Sequence, residues 1–420
     1  MKKRERRKSK SKKVWLIILI VIIVLVGVIS VLFYLNYKKE QNIKLERKNL
    51  VEEIASHYAE NVEVTKDSNL YQRNGKKYIK IGKIYVGEKL TLKSSNISYK
   101  TKYFYIPSLD AYISYKNVKK SDSQKIVDTR YKKYLLFNEN IVSKDVVNLY
   151  RDDKLVYTFD FSIDKPIIKK DDNGYYVEYL DELFFIKNDD VLKTYENINT
   201  NLEEATEVPV TVYHFIYLEG DTSCNEKICH HENQIKEHFQ YLKENNFFTM
   251  TTNELRLFIE GKIRVPKKSI LVTIDDGARA EKFIPFLEEY QVNATLFLIS
   301  SWYPKEKFAS QYMEIASHTH TLHTPGVCPG GQGSPLKCLA KNELVADLKL
   351  SRETLDGTEA FCFPFYEFND YGIEAVKDAG FKIAFIGGMK KANRNTNLYL
   401  VPRISLNSST TLQQYINYIN

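Results

Sequence analysis

The pattern of apolar and polar positions begins with one long uncharged run. Residues 14–35 hold 22 residues without a charge and would be apolar on every face of a helix. A helix of that length extends about 33 Å, which is enough to cross a hydrocarbon core of about 30 Å. The run is longer than that of a signal peptide, and no small-residue cleavage site is visible after it. The pattern therefore predicts a transmembrane helix, with a buried core helix as the alternative.

The next part of the chain changes to short runs rich in Tyr, Ile and Val. Residues 36–60 are charged and helix-prone, and they predict a stalk. The short runs that follow are separated by turn residues, which is typical of β structure. Two similar runs, YIPSLDAYISYKNV and YVEYLDELFFIKNDDV, favour two small β domains at 61–120 and 121–204. The first resembles bacterial SH3-like modules that hold cell-wall glycans or peptides, and the alternative is a spacer whose tyrosines fill half-buried strand positions.

The last part, residues 205–420, alternates strand and helix patterns. Short apolar runs such as SILVTI and ATLFLI are separated by segments of helical period such as NELVADLKLSRETL. Repeated βα units predict an α/β barrel or a doubly wound sheet. In both architectures the functional side chains gather at the carboxyl ends of the strands.

Charge changes the picture only at the amino terminus. Residues 1–13 hold nine Lys/Arg and one Glu. Of the 61 basic and 53 acidic residues in the chain, 52 of each lie after residue 13, so we expect no nucleic-acid partner. Cations accumulate on the cytoplasmic side of membrane helices. The prediction is a single-pass protein of the cell membrane with a cytoplasmic basic tail and an extracellular remainder.

The five cysteines leave two alternatives open. Cys224 and Cys229 lie close in sequence, as do Cys328 and Cys338, while Cys362 is left over. Two local disulfides are compatible with an oxidising exterior, and free thiols packed as small apolar groups are the alternative. The spacing does not support a thiolate metal site.

Reactive side chains follow several of the predicted strands. They are Asp275 and Asp276 after SILVTI, His214 after VPVTVY, and His318, His320 and His323 after MEIAS. One Asp and two His can ligate a divalent metal ion, and the other Asp can act as a general base. A single histidine in such a place would more often be an ordinary hydrogen-bonded residue. The joint occurrence of three histidines and two aspartates favours a metal centre.

These motifs resemble those of the polysaccharide deacetylase family, whose NodB-homology domains remove acetyl groups from N-acetylglucosamine polymers. TIDDG at 273–277 resembles the first family motif, T-F-D-D-G. HTHTLH at 318–323 resembles the second motif, and its spacing of five between histidines is similar to that of the poly-N-acetylglucosamine branch. FPFYEFND at 363–370 resembles the third, Pro-aromatic motif. The resemblance covers residues 205–420 and implies a distorted (β/α) barrel.

The resemblance also implies a role for individual residues. Asp275 would be the general base, and the metal ligands would be Asp276, His318 and His323. Zn²⁺ is the first choice of metal on ligand type, with Co²⁺, Ni²⁺ and Mn²⁺ as alternatives. The expected substrate contacts are His320, Pro364, Phe365 and Tyr366.

Two departures from the family pattern concern catalysis. The Arg that often precedes the Pro-aromatic loop and orients the base is missing, since residues 360–362 are Ala, Phe and Cys. The last strand, YLVPRISL, carries Arg403 where many members have a histidine that protonates the leaving amine. We therefore expect His214, His320 or water at the metal in that role, and we count Arg403 with His214 among the catalytic candidates.

Two functions are compatible with these residues. The first is a membrane-anchored extracellular deacetylase that acts on poly-N-acetylglucosamine or peptidoglycan. The second is a deacetylase-like protein of weak or no activity that binds cell-wall glycan. The paired aspartates and the histidines favour the enzyme, and the missing histidine of the last strand favours the binding protein.

Overall fold

The chain folds into two compact units. The computed structural model describes residues 2–93, 96–123, 127–198, 203–221 and 227–420, with side chains from Val14 onward. The first unit comprises Met1–Val127 and Asp145–Ser162, and the second comprises Asp128–Lys144 and Ile163–Asn420.

One long helix begins the first unit. Helix α1 (Lys2–His57) includes both the predicted membrane segment and most of the predicted stalk. The large apolar side chains from Val14 to Leu35 are exposed, and the helix is long and apolar enough to cross a membrane. Near its end, Ile54 is buried and the His57 ring donates from Nδ1 to the carbonyl of Val118 at 2.7 Å. The end of α1 is therefore anchored on the β structure that follows.

Short strands follow α1. They are β1 (Asn61–Val64), β2 (Ser68–Asn74), β3 (Lys77–Ile84), β4 (Lys89–Thr91), β5 (Tyr103–Ile106), β6 (Ala111–Ser114), β7 (Val118–Lys120), β8 (Glu139–Ser143), β9 (Val147–Arg151), β10 (Lys154–Phe159), β11 (Asp164–Pro166), β12 (Lys169–Asp171), β13 (Gly174–Tyr179), β14 (Glu182–Lys187) and β15 (Val191–Glu196). All-β structure was the prediction for this region, and it is confirmed.

The first unit contains two antiparallel arrangements. Strands β4, β1 and β7 pair in that order, and β9, β10, β3, β2, β6 and β5 form the other. The hairpin of β9 and β10 lies in the span predicted for the second β domain, but β10 pairs with β3. Gly82 of β3 permits this pairing, because a Cβ there would lie 2.2 Å from the carbonyl oxygen of Thr158. The SH3-like character of this unit stays a prediction.

The remaining short strands belong to the second unit. Strands β11, β8 and β15 pair antiparallel, as do β12, β13 and β14. Isolated bridges such as that between Leu135 and Arg264 connect this region to the rest of the second unit. These strands therefore pack in the same unit as the α/β region.

The α/β region follows residue 203. Its elements are β16 (Glu207–Val208), β17 (Val210–Tyr213), β18 (Phe215–Tyr217), β19 (Cys229–His231), α2 (Glu232–Glu244), β20 (Phe248–Thr249), α3 (Thr252–Ile259), β21 (Ser269–Asp276), α4 (Ile284–Tyr290), β22 (Ala294–Leu298), β23 (Met313–Ser317), α5 (Lys341–Thr354), β24 (Ala360–Cys362), α6 (Asp370–Asp378), β25 (Ile383–Gly387), β26 (Ala392–Asn393), β27 (Val401–Ser405) and α7 (Leu412–Ile419).

Parallel strands of this region close into a barrel. Among the described strands, seven pair in the ring order β17, β21, β22, β23, β24, β25 and β27, and β27 returns to β17. All eight residues of β21 are buried, as expected for a strand covered on both faces. The predicted (β/α) barrel is confirmed, and its strands deliver their carboxyl ends to a single rim.

Candidate active site

The two adjacent aspartates stand where the chain turns sharply out of β21. Asp276 has a φ of 74° and Gly277 a φ of 103°. A left-handed conformation costs an aspartate on the order of 1–3 kcal/mol, and such strain concentrates at functional sites. Glycine is required next, because a Cβ at position 277 would lie 2.5 Å from the side chain of Leu298. The turn directs the two carboxylates to different partners.

The Asp276 carboxylate faces two histidines. Its Oδ1 lies 3.4 Å from Nε2 of His318 and 3.2 Å from Nε2 of His323. One potential ligand atom from each of the three residues lies within 4.8 Å of the others. Convergence of one carboxylate oxygen and two imidazole nitrogens is a donor set that suits Zn²⁺ and related divalent ions. The structure thus brings together the three residues predicted as ligands, and they fit such an ion.

Neighbouring groups hold the histidines in this orientation. The His318 ring donates from Nδ1 to the carbonyl of Cys362 at 2.8 Å, so its Nε2 is left free to face Asp276. Asp347 of α5 accepts hydrogen bonds from the backbone amides of His320 and Thr321 at 2.8 Å each. These hydrogen bonds fix the loop between His318 and His323. Sequence reasoning missed Asp347, because only the packing of α5 brings it to the loop.

The Asp275 carboxylate forms a buried ion pair with Arg403 of β27. The guanidinium donates to both carboxylate oxygens at 2.7 Å, and the exposed fraction is 0% for Arg403 and 2% for Asp275. The same guanidinium donates to the Thr273 hydroxyl at 3.1 Å and lies 2.8 Å from the Cys362 sulfur. Arg403 therefore orients Asp275 from the last strand, although the arginine that the family often uses for this purpose is missing.

Burial and ion pairing set the charges of these groups. Burial by itself raises the pKa of Asp275, but the Arg403 guanidinium, together with His318 and His214, holds that pKa below its usual range. Burial likewise opposes ionisation of Asp276, but the adjacent His318 and His323 rings outweigh that effect and lower its pKa. Both carboxylates are therefore ionised at neutral pH.

His214 stands beside this pair at the end of β17. Its Nε2 lies 3.9 Å from Oδ2 of Asp275. Burial lowers the pKa of its imidazole although Asp275 and Asp276 oppose that effect. Its Nδ1 has no hydrogen-bond partner among the residues that the structure describes. His214 is thus the histidine that accompanies the proposed base.

His320 is directed away from this group. Its Nδ1 is hydrogen-bonded with the Ser300 hydroxyl at 3.0 Å. It shares no ligand group with the other histidines among the described residues. The structure therefore does not bring His320 together with the aspartates.

The Pro-aromatic segment forms one wall of the site. Pro364 is buried and begins a short turn in which Phe365 and Tyr366 have φ values of 57° and 58°. The Phe365 ring lies 4.5 Å from the His323 ring, and the Tyr366 ring lies 5.2 Å from the Arg403 guanidinium. Two consecutive aromatic residues in the left-handed region are unusual and point to a constrained functional segment.

A disulfide-closed loop adjoins this segment. Cys328 and Cys338 are disulfide-bonded, and Cys362 is a buried free thiol. Glu367, which directly follows the aromatic turn, accepts hydrogen bonds from the backbone amides of Gln332, Gly333 and Ser334. Cys224 lies outside the described residues, so the pairing considered for it stays a prediction.

Comparison with known proteins finds deacetylases. Residues 262–384 match the polysaccharide deacetylase family. The poly-beta-1,6-N-acetyl-D-glucosamine N-deacetylase of Staphylococcus aureus is 26% identical over 198 residues, covering 41% of this chain and 66% of that relative. The chain therefore spans just under two thirds of the length of that relative.

Several of the solved structures that are similar to the chain are deacetylases. A de-N-acetylase from Aggregatibacter actinomycetemcomitans is 23% identical with a TM-score of 0.45, and the match covers 51% of this chain and 100% of that one. A polysaccharide deacetylase from Bacillus cereus is 18% identical with a TM-score of 0.42, and the match covers 79% of this chain and 99% of that one.

Proposed function

Because the chain carries a polysaccharide deacetylase domain, we propose that it hydrolyses N-acetyl groups of a polymer of N-acetylglucosamine. One observation carries the proposal: Asp276, His318 and His323 converge on one point, and the separately oriented Asp275 lies next to them. The relative from Staphylococcus aureus is named for poly-beta-1,6-N-acetyl-D-glucosamine, which supports that polymer as the first substrate to test. Peptidoglycan is the second.

Different residues of the chain have different roles in the proposed amide hydrolysis. Asp276, His318 and His323 would hold a divalent ion, for which Zn²⁺ is the first choice on ligand type. When bound, such an ion supplies polarisation of the acetyl carbonyl and acidification of water. Asp275 accepts the proton of the attacking water, and Arg403 keeps its carboxylate oriented and ionised.

The leaving amine needs a proton in the second half of the reaction. His214 is the better placed histidine, because its ring lies 3.9 Å from Asp275 whereas His320 is bonded to Ser300. Burial lowers the pKa of His214, so its protonated form is a stronger acid than an exposed imidazolium. His214 thus replaces the histidine that the last strand lacks.

The aromatic wall supports binding of a sugar chain. Phe365 and Tyr366 present half-buried rings beside His323 and Arg403. Such rings provide apolar faces in a polar site and contribute to ligand orientation. Helix α1 would tether the enzyme to the cell membrane with the barrel outside the cell, because nine cations precede its apolar run.

Amine release tests the proposed function. Full-length protein in detergent is incubated with β-1,6-linked N-acetylglucosamine oligomers, and free amines are measured by fluorescence derivatisation. We expect release that a chelator abolishes and added Zn²⁺, Co²⁺, Ni²⁺ or Mn²⁺ restores. Release that persists in the chelator would exclude the metal role. Binding of the oligomers without release under any metal would favour the binding-protein alternative.

A further inference from the structure

A cleft of about 740 Å³ opens on the first compact unit. Its lining includes four tyrosines and three lysines, which are Tyr71, Tyr99, Tyr103, Tyr115, Lys83, Lys102 and Lys116. Asn69, Ser114 and Asn117 add polar groups to its wall. All of these residues belong to one unit, so the cleft exists without any contribution from the barrel.

The tyrosines of this cleft are part of a larger aromatic surface. Alternation along β5 and β6 buries Phe104, Ile106, Ala111 and Ile113 and leaves the tyrosines on the opposite face. The Tyr103 ring lies 5.2 Å from Tyr71 and 4.5 Å from Tyr78. The Tyr112 ring lies 5.2 Å from Tyr78 and 5.0 Å from Tyr105. Four neighbouring strands, β3, β2, β6 and β5, thus present a continuous aromatic face.

The same unit is strongly basic, although the chain after residue 13 is neutral in total. Residues 61–123 contain thirteen Lys/Arg and five Asp/Glu. Lys80 and Lys119 are ion-paired, with Asp160 at 2.6 Å and Glu63 at 3.2 Å. By contrast, the three lysines of the cleft are exposed and form no ion pair with a carboxylate in the described part of the chain.

One carboxylate, Asp67, lines the cleft against three lysines, which leaves an excess of positive charge in the lining. Asp67 accepts a hydrogen bond from the backbone amide of Val86 at 3.2 Å. The cleft therefore offers unpaired ammonium groups beside aromatic rings and amide side chains. Aromatic faces with a few convergent polar groups are typical of sites for small ligands. The excess of lysines favours a negatively charged ligand.

We propose that this cleft binds an anionic glycan, a sugar polymer that carries carboxylate or phosphate groups. Tyr71 and Tyr103 supply stacking faces for sugar rings, and Lys83, Lys102 and Lys116 pair with the anionic groups. If the barrel is a deacetylase, its product gains amines and becomes cationic, so these lysines would repel it. The cleft thus binds a different polymer from the one that the barrel modifies, and it would hold the enzyme beside its substrate.

Distance along α1 argues against a lipid headgroup as the ligand. Leu50 lines the cleft and lies fifteen residues after Leu35, where the apolar run ends. Fifteen helical residues extend about 22 Å. The headgroup layer adds only about 6 Å to each side of the hydrocarbon core. A polymer outside the membrane therefore suits the position of the cleft better than the membrane surface does.

The test measures glycan binding by the full-length protein in phosphatidylcholine nanodiscs. Fluorescein-labelled oligogalacturonate and a labelled phosphomannan oligosaccharide serve as carboxylate and phosphate probes, and anisotropy reports binding. We expect at least one probe to bind, with an affinity that falls as salt rises. Lys83→Ala combined with Lys102→Ala should weaken it at least tenfold. The matched control, Lys76→Ala with Lys120→Ala outside the cleft, should change it less than twofold.

Aromatic variants distinguish sugar recognition from charge alone. Tyr103→Ala should weaken binding about tenfold, whereas Tyr103→Phe, which keeps the ring, should stay within threefold. Amine release from short oligomers should be unchanged in the lysine variants. Loss of glycan binding by the cleft and loss of deacetylase activity can therefore be distinguished. The proposal is wrong if neither probe binds at low salt, or if the control substitutions weaken binding as much as those in the cleft. It is wrong as well if tripolyphosphate competes with the probe as strongly as unlabelled glycan does. It is also wrong if phosphatidylglycerol nanodiscs block the probes.

Discussion

The ion pair of Asp275 and Arg403 connects the first motif of the barrel with its last strand. Both side chains are almost completely buried, and the guanidinium contacts both carboxylate oxygens. A buried charge without its partner destabilises a protein by about 3–5 kcal/mol. Arg403 therefore keeps a charged Asp275 stable inside the barrel, which is a condition for its use as a base.

We expect Arg403→Met to lower amine release at least about a hundredfold, because an unpaired buried Asp275 would take up a proton and lose its basicity. Metal content should stay near that of the wild type, since Asp276, His318 and His323 are unchanged. Metal analysis and amine release on the same preparation check both points. Arg394→Met, which removes an arginine paired with Glu204 on the surface, is the control. An active Arg403→Met variant would show that the pair has no role in catalysis.

The sequence predicted which residues form the site, because the topology of a parallel barrel brings the ends of its strands together. Parallel strands must meet at one rim with their carboxyl ends. The functional residues lie at or just after these ends, and they are Asp275, Asp276, His214, His318 and His323. Their common location therefore follows from the strand pattern alone.

The partners of these residues could not be predicted in the same way. Arg403 is 128 residues away from Asp275 in sequence, and its pairing depends on closure of the barrel by β27. The turning of His320 towards Ser300 depends on a rotamer that the motif HTHTLH does not specify. Side-chain direction after a strand end is set by local packing, which spacing does not encode.

At the scale of elements, helix α5 holds the loop between His318 and His323 in place. Asp347 accepts three hydrogen bonds from the loop, from the backbone amides of His320 and Thr321 and from the Thr321 hydroxyl at 2.6 Å. Groups of this kind keep metal ligands in position without touching the metal.

Asp347→Asn should therefore weaken zinc affinity about 10–100-fold, because a neutral amide holds the loop less firmly. Competition with a chromophoric chelator measures this affinity. Asp378→Asn on α6, where the carboxylate is paired with Lys341 on the surface, is the matched control. Equal affinities of wild type and Asp347→Asn would mean that the loop is held by other contacts.

Two fully buried histidine side chains lie close together in sequence, His230 in β19 and His238 in α2. Burial lowers the pKa of His230 to about 4 and that of His238 to about 3. An unfolded histidine titrates near about 6.5, so the unfolded chain binds more protons than the folded one between these values. The free energy of unfolding should therefore fall as the pH falls from about 6.5 towards 4.

The melting temperature of the full-length protein in detergent checks this dependence. It should drop between pH 7.5 and pH 5, and the drop should be smaller for His238→Phe, which removes one of the two titrating groups. His238 is hydrogen-bonded with Tyr213 at 2.9 Å, so the variant should also melt at a lower temperature at pH 7.5. An equal drop in both proteins would assign the pH dependence to other groups.

Element boundaries show where sequence patterns were insufficient. The apolar alternation predicted β strands between 61 and 204, and strands are present there. The pattern did not show that β10 pairs with β3, because partner choice depends on Gly82, which lets two backbones approach closely. Strand existence is a local property, whereas strand pairing is not.

At the scale of the whole molecule, the sequence joins three chemically different parts. An apolar helix long enough to cross a membrane precedes a basic, tyrosine-rich β unit, and the barrel with its paired aspartates follows. This order would place a glycan-binding surface and a deacetylase on one membrane tether.

The predicted orientation has a direct test. Protease added to intact protoplasts should digest the chain after residue 37 and spare the basic tail, because the nine cations favour a cytoplasmic amino terminus. Immunoblotting with an amino-terminal tag identifies the protected fragment, and a cytoplasmic protein serves as the control for intact membranes. Full protection of the chain would contradict the topology and exclude an extracellular polymer as substrate.

The two adjacent carboxylates give the most direct test of the central claim, that one group of residues holds a metal ion while the neighbouring residue acts as a base. Metal content and amine release are measured on purified Asp276→Asn and Asp275→Asn proteins. Asp276→Asn should lose metal, because an amide oxygen is a poorer ligand than a carboxylate. Asp275→Asn should retain metal and lose about a hundred- to ten-thousand-fold in rate. If neither variant changes metal content, or if Asp275→Asn loses metal and Asp276→Asn retains it, the assignment of the site is wrong.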